Sequence, residues 1–176
     1  EVRQLAEAMS APVVTTTNSK GVLSEDHPLA FGHASRGGAV REMVRAADLC
    51  LAIGTRLRES DVKQHGLVLP RLIHVDWDDR WIGKNYETEI ALAGHVPGIV
   101  KGLLTGLAGH AAAEDRSNAV RDMRTGLRDE LREIRKTRIE LRYLDQIRDC
   151  LPAESIFCVD NTQLGYWAEY FYPSLF

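Results

Sequence analysis

Long apolar runs are missing from this sequence. No stretch approaches the roughly 20 residues that a membrane-spanning helix needs, and no signal peptide is recognisable at the start. Cysteine is scarce: Cys50, Cys150 and Cys158 lie scattered through 176 residues. That excludes a disulfide framework or a cysteine metal site. All three are expected as buried small hydrophobes in a reducing cytoplasm. An excess of one charge sign is missing too. A formal net charge of -3 argues against a dedicated nucleic-acid binder. The six histidines (His27, His33, His65, His74, His95 and His110) share no ligand spacing, which argues against a metal site. There is no internal repeat and no low-complexity tract.

What is present suits a globular protein with a core, at 44% hydrophobic and 27% charged residues. The length fits one domain, or one domain with an appendage. The chain is organised around Leu49 to Asp78. Leu49-Cys50-Leu51-Ala52-Ile53 and Leu72-Ile73-His74-Val75-Asp76 are short apolar runs, closed by Gly54-Thr55-Arg56 and by Trp77-Asp78. Such runs suit strands of a parallel sheet covered on both faces. Ligands of open α/β sheets lie beyond the carboxyl ends of the strands, which is where Gly54, Arg56, Asp76 and Trp77 fall.

Taken in order, Val2–Met9 has helical spacing and Ala11–Thr17 reads as a strand. Asn18-Ser19-Lys20-Gly21 is a turn signal, and Ser24–Pro28 is a polar loop. Leu29 to Arg36 leads into Gly37-Gly38 and a helix to about Ala46, with Val40, Met43 and Val44 inward. Residues 56–69 read as a loop. Asp78-Asp79-Arg80 is expected to cap a short turn at Trp81-Ile82-Gly83, since an Asp suits the first turn of a helix. Glu89–Gly94 reads as a strand, and Val96–Leu107 as a helix with Ile99, Val100, Leu103, Leu104 and Leu107 on one face. Alternating strands and helices indicate an α/β fold with a doubly wound parallel sheet.

From Ala111 the composition changes. Val120, Met123, Leu127, Leu131 and Ile134 form one apolar stripe, set among Arg121, Arg124, Arg128, Arg132, Arg135 and Arg138. The interspersed Asp122, Asp129, Glu130 and Glu133 favour a solvated or subunit-facing linker helix over a nucleic-acid surface. The helical pattern runs on through Leu141, Leu144 and Ile147. Ser155–Asp160 then reads as a strand. Asn161-Thr162-Gln163 follows as the cap of a helix through Tyr166, Trp167 and Tyr170. The abrupt helical start and the apolar stub Tyr172–Phe176 suggest an excerpt of a longer protein.

From Ala11 to Gly94 the chain resembles the central domain of thiamine-diphosphate-dependent 2-oxo-acid enzymes, the acetolactate synthase large-subunit group in particular. The resemblance rests on Pro12-Val13-Val14-Thr15-Thr16, Lys20-Gly21, Asp26–Gly32, Ala47-Asp48-Leu49 with Ala52–Arg56, Ile73–Asp78, and Ile82-Gly83-Lys84-Asn85, in that order and spacing. It continues at Leu151–Asp160, Gln163, Trp167 and Tyr172-Pro173, which are similar to the start of the family's C-terminal domain. It implies a central Rossmann-like domain over 1–110, a helical linker over 111–150, and the start of a thiamine-diphosphate-binding domain over 151–176. The family's first strand and glycine-rich turn would precede Glu1, so the sheet here would lack a strand. Ile156–Val159 is a candidate for that vacancy. The activating glutamate and the metal motif of the family would both lie outside this stretch.

The activity implied is decarboxylation of a 2-oxo acid, with or without ligation to a second carbonyl compound. Thiamine diphosphate and Mg2+ would serve in the parent enzyme, a homodimer or homotetramer with no nucleic-acid or membrane partner. The stretch itself would be non-catalytic and would hold no cofactor alone. Flavin-binding members of the family hold FAD in this domain. By position Thr17, Asn18, Gly32, Gly54, Arg56, Asp76, Trp77 and Gly94 would line such a site. The chain departs from the flavin binders at His95, where they carry an acid, and in the Gly32–Gly38 loop. An unoccupied scaffold domain therefore stands beside FAD. A module for NAD or a CoA derivative, without 2-oxo-acid chemistry, is the competing class. Asn161, Thr162 and Gln163 would approach the diphosphate of thiamine diphosphate; plain helix capping by Asn161 or Thr162 is the alternative.

Overall fold

A computed structural model describes residues 1–34, 37–60, 62, 64, 66–110 and 117–175. Arg36, His65, the start of the linker at Ala111 and Phe176 lie outside the described residues. Strand and helix alternate through the first hundred residues. The elements are α1 (Val2–Met9), β1 (Val13–Thr15), β2 (Ala30–His33), α2 (Gly38–Ala46), β3 (Leu49–Ile53), β4 (Arg71–Asp76), β5 (Ile90–Ala93) and α3 (Val96–Leu107). Three helices follow: α4 (Ser117–Thr137), α5 (Ile139–Cys150) and α6 (Gln163–Phe171). Single 3-10 turns lie at Thr17–Ser19 and Asp79–Trp81. The second is capped by Asp78, whose side chain accepts from the Arg80 N–H.

Every strand pair among the described residues is parallel. β4 sits between β3 and β5, with Ala52, His74 and Ala91 in one row. β1 and β2 form a separate ladder, with an irregularity between Val13 and Val14. Leu72 and Val75 are an odd number of positions apart on β4, so they point to opposite faces. Both are buried, at 1% and 0% exposure, so the ladder is covered on both sides. That is the layering of a doubly wound α/β fold. α1 packs on α3, and α2 packs on α4.

The main core joins Phe31, Val40, Met43, Val44, Ala52 and Leu72 to Val120 and Leu127 of α4. The apolar stripe of α4 is therefore turned onto α2. Leu141 and Leu144 of α5 pack with Ala168, Phe171 and Tyr172 in a second cluster, and Leu131 touches both clusters.

The structure corrects three sequence expectations. Ser155–Asp160 forms no strand, and Ile156–Val159 pairs with neither ladder. A β-branched run becomes a strand only when another strand takes its backbone groups. Here Phe157 is drawn onto Tyr172 instead, with ring centroids 4.3 Å apart, and Ile156 is left 90% exposed. Cys150 and Cys158 are exposed rather than buried; only Cys50, in β3, is partly covered, and burial pushes its thiol pKa up. β2 was not foreseen, because Ala30-Phe31-Gly32-His33 carries a glycine and no β-branched residue. All four of its residues are buried, so burial rather than propensity makes it a strand.

Candidate functional site

The carboxyl ends of β3, β4 and β5 form one crest. Gly54 follows β3 with φ 60°, and Gly94 follows β5 with φ 141°. Both occupy backbone regions that exclude most side chains. The Gly54 N–H donates to Val75 O at 2.8 Å, and the Gly94 N–H donates to Asp76 O at 3.0 Å. Three strand ends are thereby tied into one edge. The space over Gly54 is open: a Cβ there would meet nothing within 4 Å.

Arg56 lies just beyond Gly54, exposed, with its guanidinium 4.5 Å from the centre of the Trp81 ring. The Lys84 ammonium stands 4.1 Å from the same ring. Asn85 donates through Nδ2 to the Arg56 carbonyl at 3.0 Å, which fixes the turn. Below it His74, 1% exposed, meets the Thr55 carbonyl at 2.8 Å through Nε2. Facing that acceptor, Nε2 must carry the proton. Among the described residues neither Arg56 nor Lys84 has a carboxylate partner. Trp77 is 69% exposed and meets His95 edge-on, with centroids 5.8 Å apart. His95 itself caps α3, its Nδ1 accepting from the Gly98 N–H at 3.2 Å.

Asp76 is placed at the crest, but its carboxylate turns inward and accepts from the Asp78 N–H at 2.9 Å. Next to it Arg80 grips Asp78 at 2.7 Å and holds that carboxyl down to about 2. Asp78 and Asp79 thus shape the turn that carries Trp81 and do not form an acid pair.

The remaining predicted residues fall elsewhere. Gly32 lies on the β1–β2 ladder, and Thr17 and Asn18 lie in the 3-10 turn that follows β1. Gly32 is inside β2 opposite Val14, Asn18 is exposed, and Thr17 Oγ1 meets His33 Nε2 at 3.1 Å. Tyr170 of α6 covers that histidine, with centroids 4.7 Å apart. Thr162 caps α6 by accepting from the Gly165 N–H at 3.1 Å. Asn161 turns its own N–H to the Asp160 side chain at 2.6 Å. Gln163 donates to Glu140 at 3.1 Å. The capping reading holds for Thr162.

Sequence reasoning missed Trp81, Lys84, Asn85 and His74 as parts of the crest. A signal existed for the first three, because an indole and an ammonium three residues apart straddle Gly83. His74 gave none, being one histidine in an apolar run. Among the described residues no three His, Cys, Asp or Glu side chains converge as metal ligands, and no helix is long and apolar enough to cross a membrane.

Parallel strands between helical layers, with glycine turns at their carboxyl edge, define an α/β domain of Rossmann type. Residues 1–103 match the family described as thiamine pyrophosphate enzyme, central domain, and the chain belongs to that family. Its curated relatives include a probable 2-ketoarginine decarboxylase of Pseudomonas aeruginosa, 34% identical over 173 residues, 97% of this chain and 30% of that protein. A probable acetolactate synthase large subunit of Methanocaldococcus jannaschii is 35% identical over 111 residues, 61% of this chain and 19% of that protein. The acetolactate synthase large subunit of Corynebacterium glutamicum is 30% identical over 170 residues, 94% of this chain and 26% of that protein. The chain thus spans under a third of the length of these relatives.

Proposed function

We propose that this chain is the central unit of a cytoplasmic enzyme that decarboxylates a 2-oxo acid with thiamine diphosphate and Mg2+. One observation carries the reading: similarity to the Pseudomonas aeruginosa protein runs over 173 residues, through α4, α5 and α6 as well as the central domain. When bound, thiamine diphosphate supplies the carbanion and the electron sink for such chemistry. The α6 start suits its diphosphate. Thr162 serves the Gly165 N–H, and the exposed Asn161 and Gln163 stand at the same helix start, where backbone N–H groups suit an anion. Among the described residues no His, Cys, Asp or Glu side chains converge as a donor set for Mg2+, and no step is assigned to it.

The crest of Gly54, Arg56, Asp76, Trp77 and Gly94 is the proposed place for a nucleotide, with Trp77 offering a stacking face and Arg56 and Lys84 facing its phosphates. Thr17, Asn18 and Gly32 would contribute from the β1–β2 side. FAD, another adenine nucleotide and NAD share the chemistry that this edge would recognise.

The test is CO2 release from a panel of 2-oxo acids, including 2-ketoarginine and pyruvate, by the intact polypeptide with and without the two cofactors. Release that needs both supports the reading, and the substrate spectrum separates the two kinds of relative. Formation of acetolactate from pyruvate would add carboligation. No release from any acid, with thiamine diphosphate shown to bind, sinks it. Sedimentation of the same protein tests the proposed homodimer or homotetramer.

A further inference from the structure

One face of α4 is basic and is not used by the sheet core. Arg124, Arg128, Leu131 and Arg135 follow one another at alternate spacings of four and three, which sets them in one row along a helix. This row lines a cavity of about 320 Å³. Phe171, Pro173 and Leu175 add apolar lining from the end of α6 and the chain beyond it. The loop at Glu25 and Asp26 completes the wall. The volume lies within the range of small-molecule sites.

The positive charge in this cavity is only partly answered. Arg124 donates to the main-chain carbonyls of Glu25, Asp26 and His27, which are neutral acceptors. Burial and the neighbouring Arg128 charge press its guanidinium below its ordinary pKa, and the Asp26 carboxylate offsets less. The Glu25 carboxylate is taken by Lys20 at 2.5 Å. Arg135 meets Asp145 at 3.3 Å. Arg128 is exposed, and among the described residues it forms no ion pair.

The walls are held without help from a ligand. On another side of α4 the Glu130 carboxylate accepts the Gly38 and Ala39 N–H groups at 2.7 and 2.8 Å. Val120 and Leu127 are buried in the main core. The Glu25 N–H donates to the Ser174 carbonyl at 2.9 Å, which ties the chain after α6 to the loop. α4 therefore cannot turn to carry its arginines apart.

We propose that this cavity binds a small organic carboxylate with an apolar chain, its carboxylate on Arg128 beside Arg124 and its chain against Leu131, Phe171 and Leu175. A guanidinium fork matches a planar carboxylate in shape and charge. An inorganic anion would meet the arginines and leave the apolar lining in water. A neutral apolar molecule would leave Arg128 unanswered.

The experiment titrates the intact polypeptide with hexanoate, acetate and inorganic phosphate by ligand-observed NMR at low salt, where exposed charges are least screened. Hexanoate is expected to bind about tenfold or more tightly than acetate, because its extra methylenes leave water. Arg128→Gln should weaken hexanoate about tenfold, the loss of one charge-assisted contact. Arg128→Lys should retain more of the binding than Arg128→Gln. Arg132→Gln makes the same change of charge on α4 outside the cavity and should leave the affinity unchanged. Arg128 is exposed and unpaired, so its variants are expected to fold, which far-ultraviolet dichroism checks. No hexanoate binding to the wild-type protein overturns the proposal. So does equal binding in Arg128→Gln, or an equal loss in Arg132→Gln, which would mark a diffuse charge effect. Acetate or phosphate bound as tightly as hexanoate would overturn the apolar half and with it the ligand class.

Discussion

Asp78 is the residue whose protonation the structure constrains most. Its pKa is held down to about 2 by the hydrogen-bonded Arg80 side chain, against roughly 3.9 for a free aspartate. A depressed carboxyl contributes stability that is present above the unfolded value and is lost as pH falls through the folded one. Its share of stability is therefore constant at neutral pH and disappears between about pH 4 and pH 2. Arg80 is solvent-exposed and Asp78 only half-buried, so the contribution is small. A carbon-detected titration should place the Asp78 midpoint near the value given, and Arg80→Ala should return it to the ordinary carboxylate range. Thr162 offers a second test at this scale. Its hydroxyl caps α6, and Thr162→Ala should cost about 0.5–2 kcal/mol in chemical denaturation. A loss outside that range would point to a role beyond capping.

Among the elements, α4 carries the most weight. Leu127 is 3% exposed and sits among residues of α2 and β4 in the main core. Leu127→Ala should destabilise the chain by about 2–5 kcal/mol, since a cavity would open in the main core where α4 packs on α2. A solvated helix touching nothing would lose only a few tenths, so the measurement decides whether α4 is a layer of the domain. Gly37→Ala should also be costly, by about 1–3 kcal/mol, because the positive φ is strained with a Cβ and the Glu130 carboxylate must move. Glu130→Ala in the same background should relieve the part due to contact and leave the part due to φ.

At the scale of the whole molecule, two apolar clusters meet at Leu131. One contains the sheet with α2 and α4, the other α5 and α6. Packing through a shared side chain makes the clusters unfold together. The wild-type chain should therefore show one urea transition by tryptophan fluorescence and by far-ultraviolet dichroism. Trp167 reports on the second cluster, Trp77 and Trp81 on the crest. Leu131→Ala should split the transition, with Trp167 changing first. Coincident curves in the variant would mean that other contacts, such as Arg135 with Asp145 at 3.3 Å, hold the two together.

Local pattern alone determined much of this protein. Periodicity placed α1 and α3 at their observed ends, and placed the inward Val40, Met43 and Val44 of α2. Apolar runs closed by glycine or aspartate placed β3 and β4, because the covalent order of a strand and its turn is written in adjacent residues. The carboxyl-edge rule then put Gly54, Arg56, Asp76 and Trp77 at the ends of those strands. What only the tertiary structure decided were the pairings between distant residues. Ser155–Asp160 has strand composition but joins neither ladder, so it stays irregular. Asp76 points inward because the Asp78 N–H lies within reach. Glu130 reads as one acid in a mixed helix, yet it lands on the start of a helix 92 residues before it. Nothing in the neighbourhood of either residue encodes that meeting. It arises when the apolar stripe of α4 is buried against α2 and the charged face follows.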